Sequence, residues 1–159
     1  MRIMISQAEL QRIHTHAEQG YPHEVVGILA GQSQLDRSDL EAQNPASDDT
    51  SGMVQQAYPL INERADTHNR YKVSGLALMR AERKLEAAGM QILGYYHSHP
   101  DHPAQYSEYD RDHALPNLSY MIISVMQGKA VDSLSWRLQE DRSNMLAEQI
   151  HIVSHRSKE

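Results

Sequence analysis

The spacing of hydrophobic positions changes several times along the chain, and each change marks an element. Ser6-Gln7-Ala8-Glu9 reads as a capping box, in which a serine hydroxyl and a glutamate carboxylate each satisfy a free backbone N–H. Leu10, Ile13 and Ala17 follow at helical spacing, and Gly20 is placed to stop that helix. After the Tyr21-Pro22 turn, Val25-Val26-Gly27-Ile28-Leu29-Ala30 is the continuous apolar run of a buried strand, closed by Gly31. Residues 32–43 are polar and read as an edge strand, and 44–51 form a loop by composition. A further strand is predicted over 53–61, and 62–71 is polar and irregular.

Leu78, Ala81, Leu85 and Ala88 then mark one face of a second helix, with Ser74 as its cap and Gly89 as its end. Residues 90–99 begin as a strand and 119–126 form another. After Gln127-Gly128-Lys129, Leu134, Trp136 and Leu138 alternate with polar neighbours, as on a half-exposed strand. Ile150 and Ile152 mark a last strand. This order predicts an α/β domain over 1–153, with helices packed on a mixed sheet, and a polar tail over 154–159.

Composition narrows the function. The chain has 159 residues, enough to bury a core, and a formal net charge of −6 with no long basic run, which argues against nucleic acid as the main partner. It has no cysteine, so disulfides, thiolate metal sites and cysteine nucleophiles are excluded. No apolar run reaches membrane-spanning length and Met1–Ser6 is too short for a signal-peptide core, so no membrane association and a cytoplasmic location are expected. Ten histidines direct attention to metal chemistry held by imidazole and carboxylate.

The informative stretch is Gly94-Tyr95-Tyr96-His97-Ser98-His99-Pro100, continuing to Ser107-Glu108-Tyr109-Asp110. Side chains two apart on a strand share a face, roughly 6.5–7 Å apart at the backbone, so His97 and His99 can converge on one ion. Ser107 reads as the N-cap of a helix, with Asp110 in its first turn, where the dipole favours a carboxylate. Two histidines and one carboxylate leave a fourth zinc position open to water, the catalytic arrangement. Glu24, at the head of an apolar strand, is the candidate base for that water.

His97-Ser98-His99-Pro100, six residues, Ser107, two residues and Asp110 resemble the signature of the JAMM (MPN+, JAB) zinc metallopeptidases. Glu24-Val25-Val26-Gly27-Ile28-Leu29-Ala30-Gly31 is similar to the block carrying that family's catalytic glutamate, and the likeness extends loosely over the chain. Asn62, Arg70-Tyr71, Ser124 and Trp136 also stand where small bacterial relatives have similar residues. The resemblance implies a cytidine deaminase-like three-layer α/β/α fold with a curved mixed sheet. It implies one Zn2+ per chain on His97, His99 and Asp110, Glu24 as general base on the metal's water, and Ser107 as donor to the developing oxyanion.

It also implies cleavage of the amide bond after the C-terminal glycines of a ubiquitin-like or sulfur-carrier protein. Only residues 111–118 separate Asp110 from the next strand, which leaves no room for the large second insertion of eukaryotic deubiquitinases. A narrow groove for an extended tail is expected, with strand addition along 53–62, and a homodimer is compatible with the sequence. Two rival readings stand. Non-catalytic MPN domains serve as scaffolds, although here all five core positions are filled. His97-Ser98-His99-Pro100-Asp101-His102 also matches the His-x-His-x-Asp-His string of metallo-β-lactamase-like hydrolases, which would recruit Asp101 and His102 to a second metal.

Overall fold

The computed structural model describes residues 1–33, 50–63 and 73–153. Most of the expected edge strand over 32–43, most of the 44–51 loop and of the 62–71 segment, Arg70-Tyr71 and the tail lie outside the described residues. Within them the order is β1 (Arg2–Ser6), α1 (Gln7–Gly20), β2 (Val26–Ser33), β3 (Thr50–Leu60), α2 (Gly75–Ala87), β4 (Gln91–Pro100), α3 (Glu108–His113), β5 (Ser119–Met126), β6 (Lys129–Leu138) and β7 (Met145–Val153).

The strands form one mixed sheet in the order β1-β3-β2-β4-β5-β6-β7. Its curvature goes far enough that β7 pairs in parallel with β1, from Arg2↔Gln149 to Ser6↔Val153, and the sheet closes into a barrel. β1 is the element the hydrophobic pattern did not bring out. It holds two isoleucines, Ile3 and Ile5, which alternate with more exposed neighbours and are fully buried. Each such burial contributes about 1.5–3 kcal/mol.

Strand alternation sends neighbouring residues to opposite faces. Leu29 and Tyr96 join Leu10, Ile13 and Ala17 of α1 in one core, while Ile28, Ala30 and Tyr95 pack with Ala81 and Leu85 of α2 in another. A third cluster, around Ile122, Trp136 and Leu138, takes in Ala104 and Ala114 from either side of α3. Gly27 is needed where it stands, because a Cβ there would lie 2.1 Å from the Tyr96 ring. Among the described residues no helix is long and apolar enough to cross a membrane.

Two local expectations change. Ser6 caps α1 through the N–H of Glu9 (3.2 Å), but the Glu9 carboxylate leaves the box and accepts from Ala57 N of β3 (2.9 Å). β3 begins at Thr50, inside the expected loop, and β1 flanks it only as far as Val54. Beyond that point its outer edge is blunted: Glu9 occupies the Ala57 N–H, and Pro59 has none. The structure therefore argues against strand addition along 53–62.

Candidate metal centre

β4 lies between β2 and β5, with His97 opposite Val26 on one side and Ile122 on the other. A strand paired on both edges is a rigid mount, and its alternation turns His97 and His99 to the face that Tyr95 shares with α2. His97 is 1% exposed. Across from them, α3 opens with a complete capping box: Ser107 Oγ accepts from Asp110 N (3.1 Å) and Asp110 Oδ2 accepts from Ser107 N (2.9 Å). That box fixes the carboxylate against both rings. His97 Nε2 lies 3.2 Å from Asp110 Oδ1, His99 Nε2 lies 3.4 Å from Asp110 Oδ2, and the two Nε2 atoms are 3.2 Å apart.

These separations test whether a metal fits. A tetrahedral ion with bonds of about 2.0–2.1 Å has ligand–ligand edges of roughly 3.3–3.4 Å. The Nε2–Nε2 edge fits that figure, and each ring has a different Asp110 oxygen at a matching distance, so His97, His99 and Asp110 could hold a metal ion. The donors are also correctly prepared. His99 Nδ1 is 2.9 Å from Pro103 O, which can only accept, so Nδ1 carries a proton and Nε2 is the ring nitrogen turned to the cluster.

Electrostatics agree. Burial would raise the Asp110 pKa, but hydrogen bonds from His97 and His99, the His97 charge and the Ser107 N–H hold it far below the usual carboxylate range. For His99 burial acts downward. The Asp110 hydrogen bond, the Pro103 carbonyl and the charges of Asp110 and Glu24 outweigh it and raise the pKa.

Glu24 thus acts on His99 as the last of these contributions. It is 5% exposed, and two side chains fix its backbone. Asn62 Nδ2 donates to Glu24 O (2.9 Å), and Ser98 Oγ accepts from Val25 N (2.9 Å) while Ser98 N donates to Val25 O (3.1 Å). Ser98, between the two histidines, thus ties the head of β2 to β4. The structure brings His97, His99, Asp110 and its cap Ser107 together, and holds Glu24 two residues before Val26, the β2 residue that pairs with His97.

Asp101 and His102 do not join them. The Asp101 carboxylate accepts from Gln127 N (2.8 Å) and from the Tyr21 hydroxyl (2.7 Å), and among the described residues the metal-capable cluster is His97, His99 and Asp110 alone. This removes the support for a second metal. His113 stacks on Tyr109, with centroids 3.9 Å apart, and its Nδ1 pairs with Tyr109 O. His14 and His16 part as expected, to Ser133 and Tyr96 respectively. Beside the cluster, Val26, Leu60, Leu78, Tyr95, Tyr109 and Tyr120 line an apolar groove of ≈ 260 Å³. Burial, then the nearby Glu82, pushes the Tyr95 phenol up to about 12. The sequence could not disclose the roles of Ser98, Asn62 or the Pro103 carbonyl, because backbone contacts leave no side-chain pattern.

Residues 6–139 match the family described as prokaryotic homologs of the JAB domain. Among curated proteins, a probable TtuB-protein conjugate cleaving protease of Thermus thermophilus is 29% identical over 113 residues, 71% of this chain and 64% of that protein. The chain therefore matches just under two thirds of that relative's length. A desampylase of Haloferax volcanii is 28% identical over 128 residues, 77% of this chain and 81% of that protein. Among solved structures, a Desulfitobacterium hafniense protein superposes with a TM-score of 0.76 at 26% identity, covering 98% of this chain and 95% of its own. A JAB1/MPN domain protein of Archaeoglobus fulgidus, at 14% identity and a TM-score of 0.53 over 94% and 97%, shares the fold.

Proposed function

The chain belongs to the prokaryotic JAB-domain family, and from that membership and the cluster geometry we propose that it is a zinc-dependent peptidase and isopeptidase. Its substrate is the amide bond after the C-terminal glycines of a ubiquitin-like or sulfur-carrier protein. The names of the two curated relatives, a desampylase and a conjugate-cleaving protease, support that substrate class. The observation that carries the reading is the convergence of His97 Nε2, His99 Nε2 and the Asp110 carboxylate oxygens at 3.2–3.4 Å, with buried Glu24 just before the β2 residue that pairs with His97.

Zinc held by those three residues would polarise the scissile carbonyl and lower the pKa of water to about 7. Glu24 takes the proton from the attacking water and returns it to the leaving amine. Its clamped backbone, between Asn62 and Ser98, keeps it in place for both transfers. Ser107 Oγ accepts from Asp110 N and so keeps its own proton to donate to the developing oxyanion. The substrate tail lies in the apolar groove beside Tyr109 rather than along the blunted β3 edge. We also retain the deaminase-like layering as the description of the fold, with α1 and α2 on opposite faces of the sheet.

A non-catalytic scaffold would have no reason to keep the Glu24 carboxylate buried. The test is cleavage of a β-grasp carrier whose Gly-Gly end carries a short extension or a lysine isopeptide. Cleavage abolished by chelation and restored by zinc is the expected result. Failure to cleave or bind any Gly-Gly-tailed carrier would sink the proposal.

A further inference from the structure

Between Pro100 and α3, three successive backbone carbonyls are each held by a side-chain donor on a different strand. His102 O accepts from Ser124 Oγ on β5 (2.6 Å), Pro103 O accepts from His99 Nδ1 on β4 (2.9 Å), and Ala104 O accepts from Trp136 Nε1 on β6 (3.0 Å). The preceding turn is tied as firmly. Asp101 has φ +58°, its N–H donates to Val125 O (2.7 Å), and its carboxylate accepts from Gln127 N and the Tyr21 hydroxyl. Ser124 and Ala104 are each 1% exposed, and the Trp136 ring meets Tyr106 edge-on at 5.0 Å.

These anchors make 101–107 a strap joining the two halves of the cluster. At one end stand His97 and His99, at the other Ser107 and Asp110. Of the three donors only His99 belongs to the cluster; Ser124 and Trp136 reach it through the strap. Their acceptors flank the Pro103 carbonyl on both sides, so fixing them fixes the plane in which Pro103 O meets the His99 ring. They also determine where the chain leaves for α3, and so where Asp110 arrives. A metal site needs its ligands held within about 0.5 Å, a tolerance that an untethered seven-residue loop does not meet.

We propose that Ser124 and Trp136 are positioning residues of the metal centre, orienting His99 and delivering Asp110 through their hydrogen bonds to His102 O and Ala104 O. This rests on reading the cluster as a metal centre. A purely structural role would lower thermal stability and leave zinc affinity alone, whereas a positioning role must appear in the affinity itself.

The experiment measures zinc affinity of the full chain by chelator competition, with the thermal midpoint of the metal-free protein recorded beside it. Trp136→Phe keeps an aromatic ring against Tyr106 but deletes the N–H donor, and Ser124→Ala deletes one hydroxyl. Ile13→Val, in the α1 core away from the strap, serves as the destabilised control. The expected result is a loss of zinc affinity of roughly 10–100-fold in the strap variants, with the control near wild type. Should Trp136→Phe fail to fold, Ser124→Ala decides alone. Strap variants that melt earlier yet bind zinc as the control does would overturn the positioning role. A wild-type chain that binds no zinc would overturn the metal centre, and this proposal with it.

Discussion

Helices α1 and α3 begin with the same arrangement, a serine cap followed three positions later by an acid: Ser6 and Glu9, Ser107 and Asp110. Both serines cap as the pattern predicts, each accepting from the N–H of its acid. The acids part company. Glu9 turns out of its box to hold Ala57 N on β3 and Arg12 beside it, whereas Asp110 closes its box and presents its oxygens to His97 and His99. A local motif thus specifies the cap, and the strand that lies opposite decides what the acid does. Opposite α1 is an open strand edge with an N–H to satisfy; opposite α3 are two imidazole nitrogens.

The contrast is most sharply drawn by removing each acid. Asp110→Ala should abolish zinc binding and reduce cleavage to background, while Glu9→Ala should leave one zinc per chain and full cleavage, as read by metal analysis and a carrier-cleavage assay. Zinc loss in Glu9→Ala, or zinc retention in Asp110→Ala, would erase the distinction. The serines come next. Ser107→Ala should slow kcat by about 10²–10³-fold through loss of the oxyanion donor, and lose about 1 kcal/mol from the cap. Ser6→Ala should show only the capping loss, about 1 kcal/mol by thermal unfolding.

Of the same order as a lost cap, or somewhat above it, is the stability effect of Glu9→Ala. It leaves Ala57 N without its acceptor at a strand edge, a loss of about 1–3 kcal/mol measured by denaturant unfolding. Last is the pH dependence of the metal-free chain. On α1, burial lowers the pKa of His16, and also of His14, where Glu18 partly opposes it. The unfolded chain takes up those protons first, so stability falls as pH drops from 6.5 toward the folded values. The Asp110 pKa is also lowered, so its contribution is present above its ordinary value of 3.8 and is lost as pH falls through the folded one. Unfolding followed against pH should therefore weaken in two stages, α1 histidines before Asp110. A stability flat from pH 7 to 4.5 would contradict the α1 half.

The same comparison explains what was legible in advance. Side-chain chemistry at fixed spacing was readable: His97 and His99 by strand alternation, Ser107 and Asp110 by the cap, Glu24 by its place before an apolar run. What escaped depends on partners distant in sequence. β1 is five residues long and became recognisable only through its pairing with β3 and β7, which also closes the barrel. The β3 edge looked available until α1 supplied Glu9 from 48 positions away. The carbonyls of His102, Pro103 and Ala104 carry no sequence signal, because any residue offers one. Their donors Ser124 and Trp136 stood out only as positions similar to those of small bacterial relatives, with no role attached.

The claim that matters most is that Glu24 and the His97-His99-Asp110 cluster act as one hydrolytic unit. It is tested most directly by comparing wild type with Glu24→Gln, both first shown to carry one zinc per chain. Each is incubated with a sulfur carrier extended beyond its Gly-Gly end, and the products are weighed by intact mass spectrometry. The account predicts cleavage after the second glycine by wild type and a roughly 10²–10⁴-fold slower reaction for the zinc-loaded variant. Equal rates for the two, or cleavage by wild type that survives complete metal removal, would contradict it.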